Sequence, residues 1–356
     1  MSRRVVIIPG DDAAPEAMAP TVEILKHVAP DLALTEFPSG EEGVKRYGSR
    51  AAFDQALRAA IDQSDTTLFG STNGTTGGIW YLRWGKQTFA NVRPAKWRPG
   101  FRSPLKNPEG IDFVIVRENL EDLYMGVEGD LRMLAALPVT SAITRQPLRT
   151  DVPGTFALKV ITEEETRRVV RFACELARKR KMQGGKGKVT CTSKYNLLRQ
   201  SDGLFRTVAE ATVRDEYPDL RYEQYIVDDF ARRLVASPSE FDVVVMPNLY
   251  GDILSDVAAG TIGGLGLAPS GCYGETYAYF ESVHGSAPDI AGKNVINPTA
   301  TLLSAVLMLD YLGRTEAAAR LENAIARVYA EGRVLTPDQG GTATTTAFCA
   351  AVRAQL

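Results

Sequence analysis

In Asn248-Leu249-Tyr250-Gly251-Asp252-Ile253-Leu254-Ser255-Asp256 an apolar strand pattern at residues 241–246 passes directly into a helical one. Such a junction places side chains at the carboxyl end of a strand, where open α/β sheets carry out their chemistry. Asp252 and Asp256 are four residues apart, so on a helix they share one face. Two like charges on one face repel unless a cation or an arginine compensates them. The other reading open to the segment alone is that both acids face the positive end of the helix dipole.

Working outward, short β-branched runs alternate with longer helical stretches, which predicts an α/β fold with a largely parallel sheet. Strands are expected at 4–8, 66–69, 88–93, 113–117, 188–192, 222–227 and 241–246. Helices are expected at 15–28, 51–61, 163–181, 203–213, 252–259, 298–312 and 316–330. The basic run RKRKMQGGKGK at 178–188 reads as a solvated helix end whose cations suit the C-terminal dipole. Residues 133–153 mix apolar residues, threonine and proline without a helical period, so an extended arm or hairpin is expected there. Such an arm can exchange with a second subunit or remain an ordinary surface hairpin.

The 356 residues carry a net charge of −2, so no global electrostatic field favours nucleic acid, and a small molecule is the expected partner. The four cysteines are scattered without a C-x-x-C spacing, which fits a reducing compartment. The apolar runs are too short for a signal peptide core or a membrane span, and the cytoplasm is the expected location. With two histidines, His27 and His284, a multi-histidine zinc site is excluded; any metal must be held by carboxylates, which points to Mg²⁺ or Mn²⁺.

Arg83, Arg93 and Arg117 stand at or near the ends of separate strands or turns, with Arg102 close behind, and guanidinium groups suit bidentate carboxylate binding. Tyr124 follows Arg117 shortly after a strand terminus, and Lys194 and Asp228 also fall at strand ends. The glycine-rich segments 71–78 and 260–266 make neither a G-x-G-x-x-G fingerprint nor a P-loop, so an ordinary Rossmann site is unsupported.

Together these segments resemble the β-decarboxylating dehydrogenases, the isocitrate, homoisocitrate and isopropylmalate enzymes, over essentially the whole chain. The matching pieces are ANVRPAK at 90–96, VRENLEDLYMG at 116–126, PNLYGDILSD at 247–256, GGLGLAPSG at 263–271 and HGSAPDIAGK at 284–293. The resemblance implies a two-domain α/β subunit that is not a Rossmann fold: residues 1–99 with 250–356 form a large domain with the cofactor site, and 100–249 an inserted smaller domain with the dimer interface. It implies homodimers with shared sites, Lys194 and Asp228 coming from the partner subunit. Arg83, Arg93 and Arg117 should hold the carboxylates of a hydroxy polycarboxylate, and Asp252 and Asp256, with Asp228, Mg²⁺ or Mn²⁺. Lys194 and Tyr124 are the implied proton-transfer residues. The implied cofactor is NAD, lying along His284, Gly285, Ser286, Ala287, Asp289, Ile290 and Asn297, with Glu281 near the nicotinamide. A carboxylate at Asp289 accepts ribose hydroxyls and repels a 2′-phosphate.

Three departures qualify the resemblance. GDDAAPEAM at 10–18 stands where the family reads G-D-G-I-G-P-E. Ile79 and Trp80 occupy the specificity loop, where homoisocitrate enzymes carry arginine at the place of Trp80, isocitrate enzymes serine and asparagine, and isopropylmalate enzymes leucines. Tyr195 replaces the alanine common beside the lysine. Overall similarity favours the homoisocitrate and isocitrate branch, whereas this loop favours another C3 substituent: an alkyl- or arylmalate, malate or tartrate, or a phosphonate analogue. A non-catalytic regulatory subunit is the remaining alternative, against which the intact Tyr124, Lys194, Asp228, Asp252 and Asp256 count.

Overall fold

Strand periodicity and parallel pairing build most of the molecule. A computed structural model describes residues 2–38 and 40–356. The strands are β1 (Arg4–Ile8), β2 (Ala33–Glu36), β3 (Thr66–Phe69), β4 (Ala90–Lys96), β5 (Asp112–Glu118), β6 (Glu128–Asp130), β7 (Thr155–Ala157), β8 (Lys188–Ser193), β9 (Arg221–Ile226), β10 (Val243–Met246), β11 (Pro269–Tyr273) and β12 (Ala278–Ser282). The helices are α1 (Ala14–Val28), α2 (Gly40–Tyr47), α3 (Arg50–Asp62), α4 (Glu163–Met182), α5 (Ser201–Glu216), α6 (Val227–Ala236), α7 (Asn248–Ile262), α8 (Thr299–Tyr311), α9 (Thr315–Glu331) and α10 (Thr345–Ala354).

Ten strands form one sheet in the order β2-β1-β3-β12-β11-β4-β5-β10-β8-β9. Strands from the two ends of the chain fill the first six places and the middle of the chain supplies the last four. Pairing is antiparallel at β12-β11, β11-β4 and β4-β5 and parallel elsewhere. Helices cover both faces. Val92, Val114, Val116, Val243 and Val245 face a core shared with α4 and α5, while Ile115, Val244 and Met246 face one shared with α7 and α8. Among the described residues no helix is long and apolar enough to cross a membrane.

Several expectations need correcting. β4 starts two residues later than expected and runs through Pro94 to Lys96. Pairing with β11 ends at Val92, so Pro94 needs no N–H on that side, and a proline there does not end the strand. Residue 227 begins α6 rather than ending a strand, with Asp228 and Asp229 in the first helical turn. The helix expected at 252–259 begins at Asn248. β2, β11, β12, α2, α6 and α10 were not expected from the sequence; the helices α2 and α6 are short, at 8 and 10 residues. In the basic run, Arg178, Lys179, Arg180 and Lys181 pair with Asp219, Asp310, Asp242 and Asp219 respectively, so these cations belong to ion pairs as well as to a helix end. Residues 133–153 lie between β6 and β7, which pair antiparallel, and a bridge joins Thr140 to Pro147. Met133, Leu137 and Ile143 are exposed on this excursion.

Candidate active site

The parallel strands β5, β10, β8 and β9 end at one edge of the sheet, and each is followed by a candidate residue. Tyr124 comes after β5, α7 after β10, Lys194 after β8, and Asp228 in α6 after β9. Arg117 pairs across β4-β5 with Asn91 and lies beside Met246 on β10. Side chains alternate along strands, so Arg93 and Arg117 share the face covered by α7 while Val92 and Val116 turn into the opposite core. Gly251 permits this packing: a Cβ there would lie 2.5 Å from Cβ and Cγ of Arg117. Gly251→Ala is therefore expected to cost about 1–3 kcal/mol of stability through overpacking. It should also raise KM for the acid substrate by displacing Arg117; thermal melts and initial rates measure both.

Arg117, with 1% side-chain exposure, donates from Nε to Asn248 Oδ1 at 2.8 Å and from Nη1 to Asp252. Arg93 Nη1 donates to Ser255 Oγ at 2.6 Å and lies 3.5 Å from Oδ1 of both Asp252 and Asp256. The repulsion between these two acids is thus answered by arginines. Arg83, in the single π-helical turn Tyr81–Gly85, lies near enough to act electrostatically on Arg117, Tyr124, Asp252 and Glu281. Burial lowers the Arg117 pKa, and the neighbouring Arg93 and Arg83 lower it further. That electrostatic crowding is the signature of a site built to receive anions.

The Tyr124 phenol donates to Asp252 Oδ2. Burial, and then the Asp252 carboxylate, raise its pKa, so it remains protonated at neutral pH and able to donate. Burial pushes the Asp252 carboxyl up, but Arg117, the Tyr124 hydrogen bond and Arg93 together hold it below the ordinary range. Asp256 is raised, burial outweighing Arg93. Glu281, on β12, is raised by burial against the opposing pull of Arg83, Arg93 and Arg117, which places it beside the same cluster.

The turn leading from β5 to Tyr124 is built by two acids that sequence reasoning missed. Glu118 accepts N–H bonds from Leu120 and Glu121. Asp122 sits at φ 67° and ψ −148°, a region that costs a non-glycine residue roughly 1–3 kcal/mol. Its Oδ2 accepts the Leu249 N–H at 2.9 Å and so caps the start of α7. Asn248 and Ser255 were also missed as partners of the arginines, although both lie within the segment that carries the two aspartates.

Lys194 and Asp228 pair with each other at 2.5 Å. Within one chain they are not brought to Asp252 and Asp256, and among the described residues no group of three acidic, cysteine or histidine side chains converges as a metal site. Tyr195 lies under Arg206, whose guanidinium is 4.5 Å from the ring centre.

The loop from His284 to Asn297 packs on the start of α1. The Ala13 N–H donates to Ser286 O at 2.9 Å, Glu16 accepts from the N–H groups of Gly292 and Asn294, and Ala287 and Ile290 pack on Ala13, Ala17 and Ile296. Asn297 Nδ2 donates to Asp338 at 2.9 Å. Burial holds the His284 imidazole below its ordinary pKa, and among the described residues its buried Nε2 has no hydrogen-bond partner. Space above Gly285 is open, and Asp289 is exposed. In the altered segment at 10–18, Asp11 accepts from the hydroxyls of Thr72, Thr75 and Thr76 and the N–H groups of Asn73 and Thr76, which lowers its pKa against burial. Asp12 takes φ 54°, a left-handed conformation that glycine adopts freely.

Ile79 packs against the core formed by α3 and the neighbouring strands. Trp80 is 70% exposed and stacks on Trp84 with ring centres 5.1 Å apart, and Trp84 donates to Leu120 O at 3.1 Å. The aromatic pair is thereby tied to the turn that carries Tyr124.

A crowded arginine cluster, paired aspartates and a half-buried phenol thus meet at the carboxyl edge of the sheet, in a chain whose relatives are decarboxylating dehydrogenases. The chain belongs to the isocitrate/isopropylmalate dehydrogenase family, whose profile matches residues 4–352. It is 43% identical over 343 residues to the 3-isopropylmalate/3-methylmalate dehydrogenase of Methanocaldococcus jannaschii, covering 96% of this chain and 95% of the relative. It is 41% identical over 359 residues to the isocitrate/homoisocitrate dehydrogenase of Thermus thermophilus, covering 99% and 98%. The crystal structure of isocitrate dehydrogenase from Methylococcus capsulatus superposes with a TM-score of 0.82 at 31% identity, covering 99% of each chain. The fold is accordingly the isocitrate/isopropylmalate dehydrogenase type. Identities of 43% and 41% lie too close together to choose the substrate.

Proposed function

We propose that the protein is an NAD-dependent, Mg²⁺- or Mn²⁺-dependent oxidative decarboxylase of a 3-substituted (2R)-malate, of the isocitrate and homoisocitrate type with an altered C3 pocket. The observation that carries this reading is the convergence of Arg83, Arg93, Arg117, Tyr124, Asp252 and Asp256. Two domains are proposed, 1–99 with 250–356 and 100–249, in a homodimer whose sites are completed by Lys194 and Asp228 of the partner subunit. The exposed apolar excursion at 133–153 is the proposed arm between subunits, and the cytoplasm the proposed location.

The all-carboxylate donors Asp252 and Asp256, with Asp228 of the partner subunit, fit a hard divalent cation. When bound, that cation lowers the pKa of the C2 hydroxyl and stabilises negative charge on oxygen during carbon dioxide loss. His284 Nε2, without a hydrogen-bond partner among the described residues, the open space over Gly285 and the exposed Asp289 fit a dinucleotide along 284–297, and NAD⁺ would supply the hydride acceptor. The carboxylate of Asp289 favours free ribose hydroxyls over a 2′-phosphate, hence NAD over NADP.

The arginines hold the substrate carboxylates and orient C2. Lys194 of the partner subunit accepts the hydroxyl proton as a hydride leaves C2. The resulting β-keto acid loses carbon dioxide to give an enolate. Tyr124, kept protonated by burial and by Asp252, donates the proton to carbon.

Trp80 presents an exposed apolar face where an arginine could meet a distal carboxylate, and the Arg83 guanidinium lies 5.2 Å from the ring centre of its stacking partner Trp84. Trp80→Arg is expected to raise kcat/KM for homoisocitrate about 10–100-fold, the range of one charge-assisted hydrogen bond. An unchanged ratio would place the C3 pocket elsewhere. The function itself is tested by following reduction of NAD⁺ against NADP⁺ with Mn²⁺ and isocitrate, homoisocitrate, 3-alkyl- and 3-arylmalates, malate, tartrate and a phosphonate analogue. Turnover of at least one acid, with NAD⁺ preferred, is expected; no turnover of any would overturn the reading.

A further inference from the structure

We propose that Lys159 is a positioning residue that sets two active-site segments at once. Its Nζ lies 2.9 Å from Asp122 Oδ1 and 3.0 Å from Asp202 Oδ1, and both aspartate side chains are fully buried. Each carboxylate uses its second oxygen to hold a main-chain N–H. Asp122 Oδ2 accepts from Leu249 at 2.9 Å, in the first turn of the helix that carries Asp252 and Asp256. Asp202 Oδ2 accepts from Lys194 itself at 2.6 Å, and the Asp202 carbonyl accepts from the Ser193 hydroxyl at 3.1 Å. The ammonium also sits 4.5 Å over the ring of Tyr250, a further tie to α7.

One ammonium therefore joins two buried carboxylates whose remaining oxygens fix the start of α7 and the backbone of Lys194. Without it, two buried anions would face each other unpaired, and relief of that repulsion would move the segments they hold. The backbone of Asp122, at φ 67°, is a conformation that persists only where its surroundings over-determine it, and its carboxylate bonds supply that constraint. Asp122 also stands two residues before Tyr124, so the bridge reaches the phenol through the same turn. The inference rests on the proposed function for the roles of Tyr124, Asp252 and Lys194, and in a dimer with shared sites one Lys159 would set a part of each of two active sites.

The test compares wild-type protein, Lys159→Met and Lys159→Arg by peptide-resolved hydrogen exchange and by steady-state kinetics on the acid that the wild type turns over. Lys159→Met is expected to exchange severalfold faster in peptides covering 246–251 and 192–198 together, while α9 is unchanged. Its kcat should fall about 10–100-fold with KM largely kept, and Lys159→Arg should recover most of both. Should Lys159→Met not fold, Asp202→Asn serves instead: faster exchange at 246–251, on the far side of the bridge, is the expected result. Unchanged exchange in either segment, or a kcat equal to wild type, overturns the proposal. Exchange does not depend on turnover, so a wild type inactive on every acid would overturn the proposed function while the exchange comparison still decided the bridge.

Discussion

Lys194→Met is expected to lower turnover by about 10²–10⁴-fold, the range that a positioned proton-transfer group contributes. Methionine keeps the length of the side chain but can neither accept nor return a proton. The Lys194–Asp228 pair lies at the surface, with 67% of the Asp228 side chain exposed, so its loss leaves the fold intact. Binding of the acid, which the proposed function assigns to Arg83, Arg93 and Arg117, should be retained. The signature is thus a fall in kcat at nearly constant KM in a protein with a wild-type melting temperature. Tyr124→Phe is expected to lose turnover in the same way, because only the phenol oxygen is removed. Near-normal activity in either variant would remove that residue from the mechanism.

Asp252→Asn combines three losses at one atom pair. Asp252 is the anion opposite the buried Arg117, the acceptor for Tyr124 and the inner carboxylate of α7. The expected result is a fall in apparent Mn²⁺ affinity of more than about 100-fold, exceeding what the loss of a residue behind the ligands typically costs. The Tyr124 phenol should also titrate at lower pH. Burial keeps it raised, but the added effect of the Asp252 carboxylate, which disfavours the phenolate, is gone. Ultraviolet titration against Tyr124→Phe reads that shift, and Mn²⁺ titration of the rate reads the affinity. Asp256→Asn should weaken Mn²⁺ binding without moving the phenol, since Asp256 makes no bond to Tyr124 that would be broken.

Much of this site is visible in the residues themselves because it lies on regular elements. The 3.6-residue period places Asp252 and Asp256 on one face, and strand ends carry Arg117, Lys194 and the approach to Asp228. The sequence left open whether the paired acids answer a helix dipole or a counter-charge. Only the sheet order settles it, by setting β4, β5 and β10 in consecutive places so that Arg93 and Arg117 meet α7. β11 and β12 were illegible for a related reason: PSGCY and AYFES are short, contain glycine, serine or proline, and gain their place from neighbours on both sides. Asp122 and Lys159 escaped notice because no local pattern marks them. They matter through contacts with Leu249 and Asp202, well over a turn of chain away. The exposure of Trp80 and its stack on Trp84 leave one broad face of the specificity loop uncovered by the core.

The most direct measurement is the ratio of carbon dioxide released to NADH formed by the purified protein on its best acid, with Mn²⁺ and then with EDTA. A ratio of about one, with both products abolished by the chelator, is the expected result for metal-assisted oxidation followed by decarboxylation. NADH without carbon dioxide, or product formation untouched by EDTA, would contradict it.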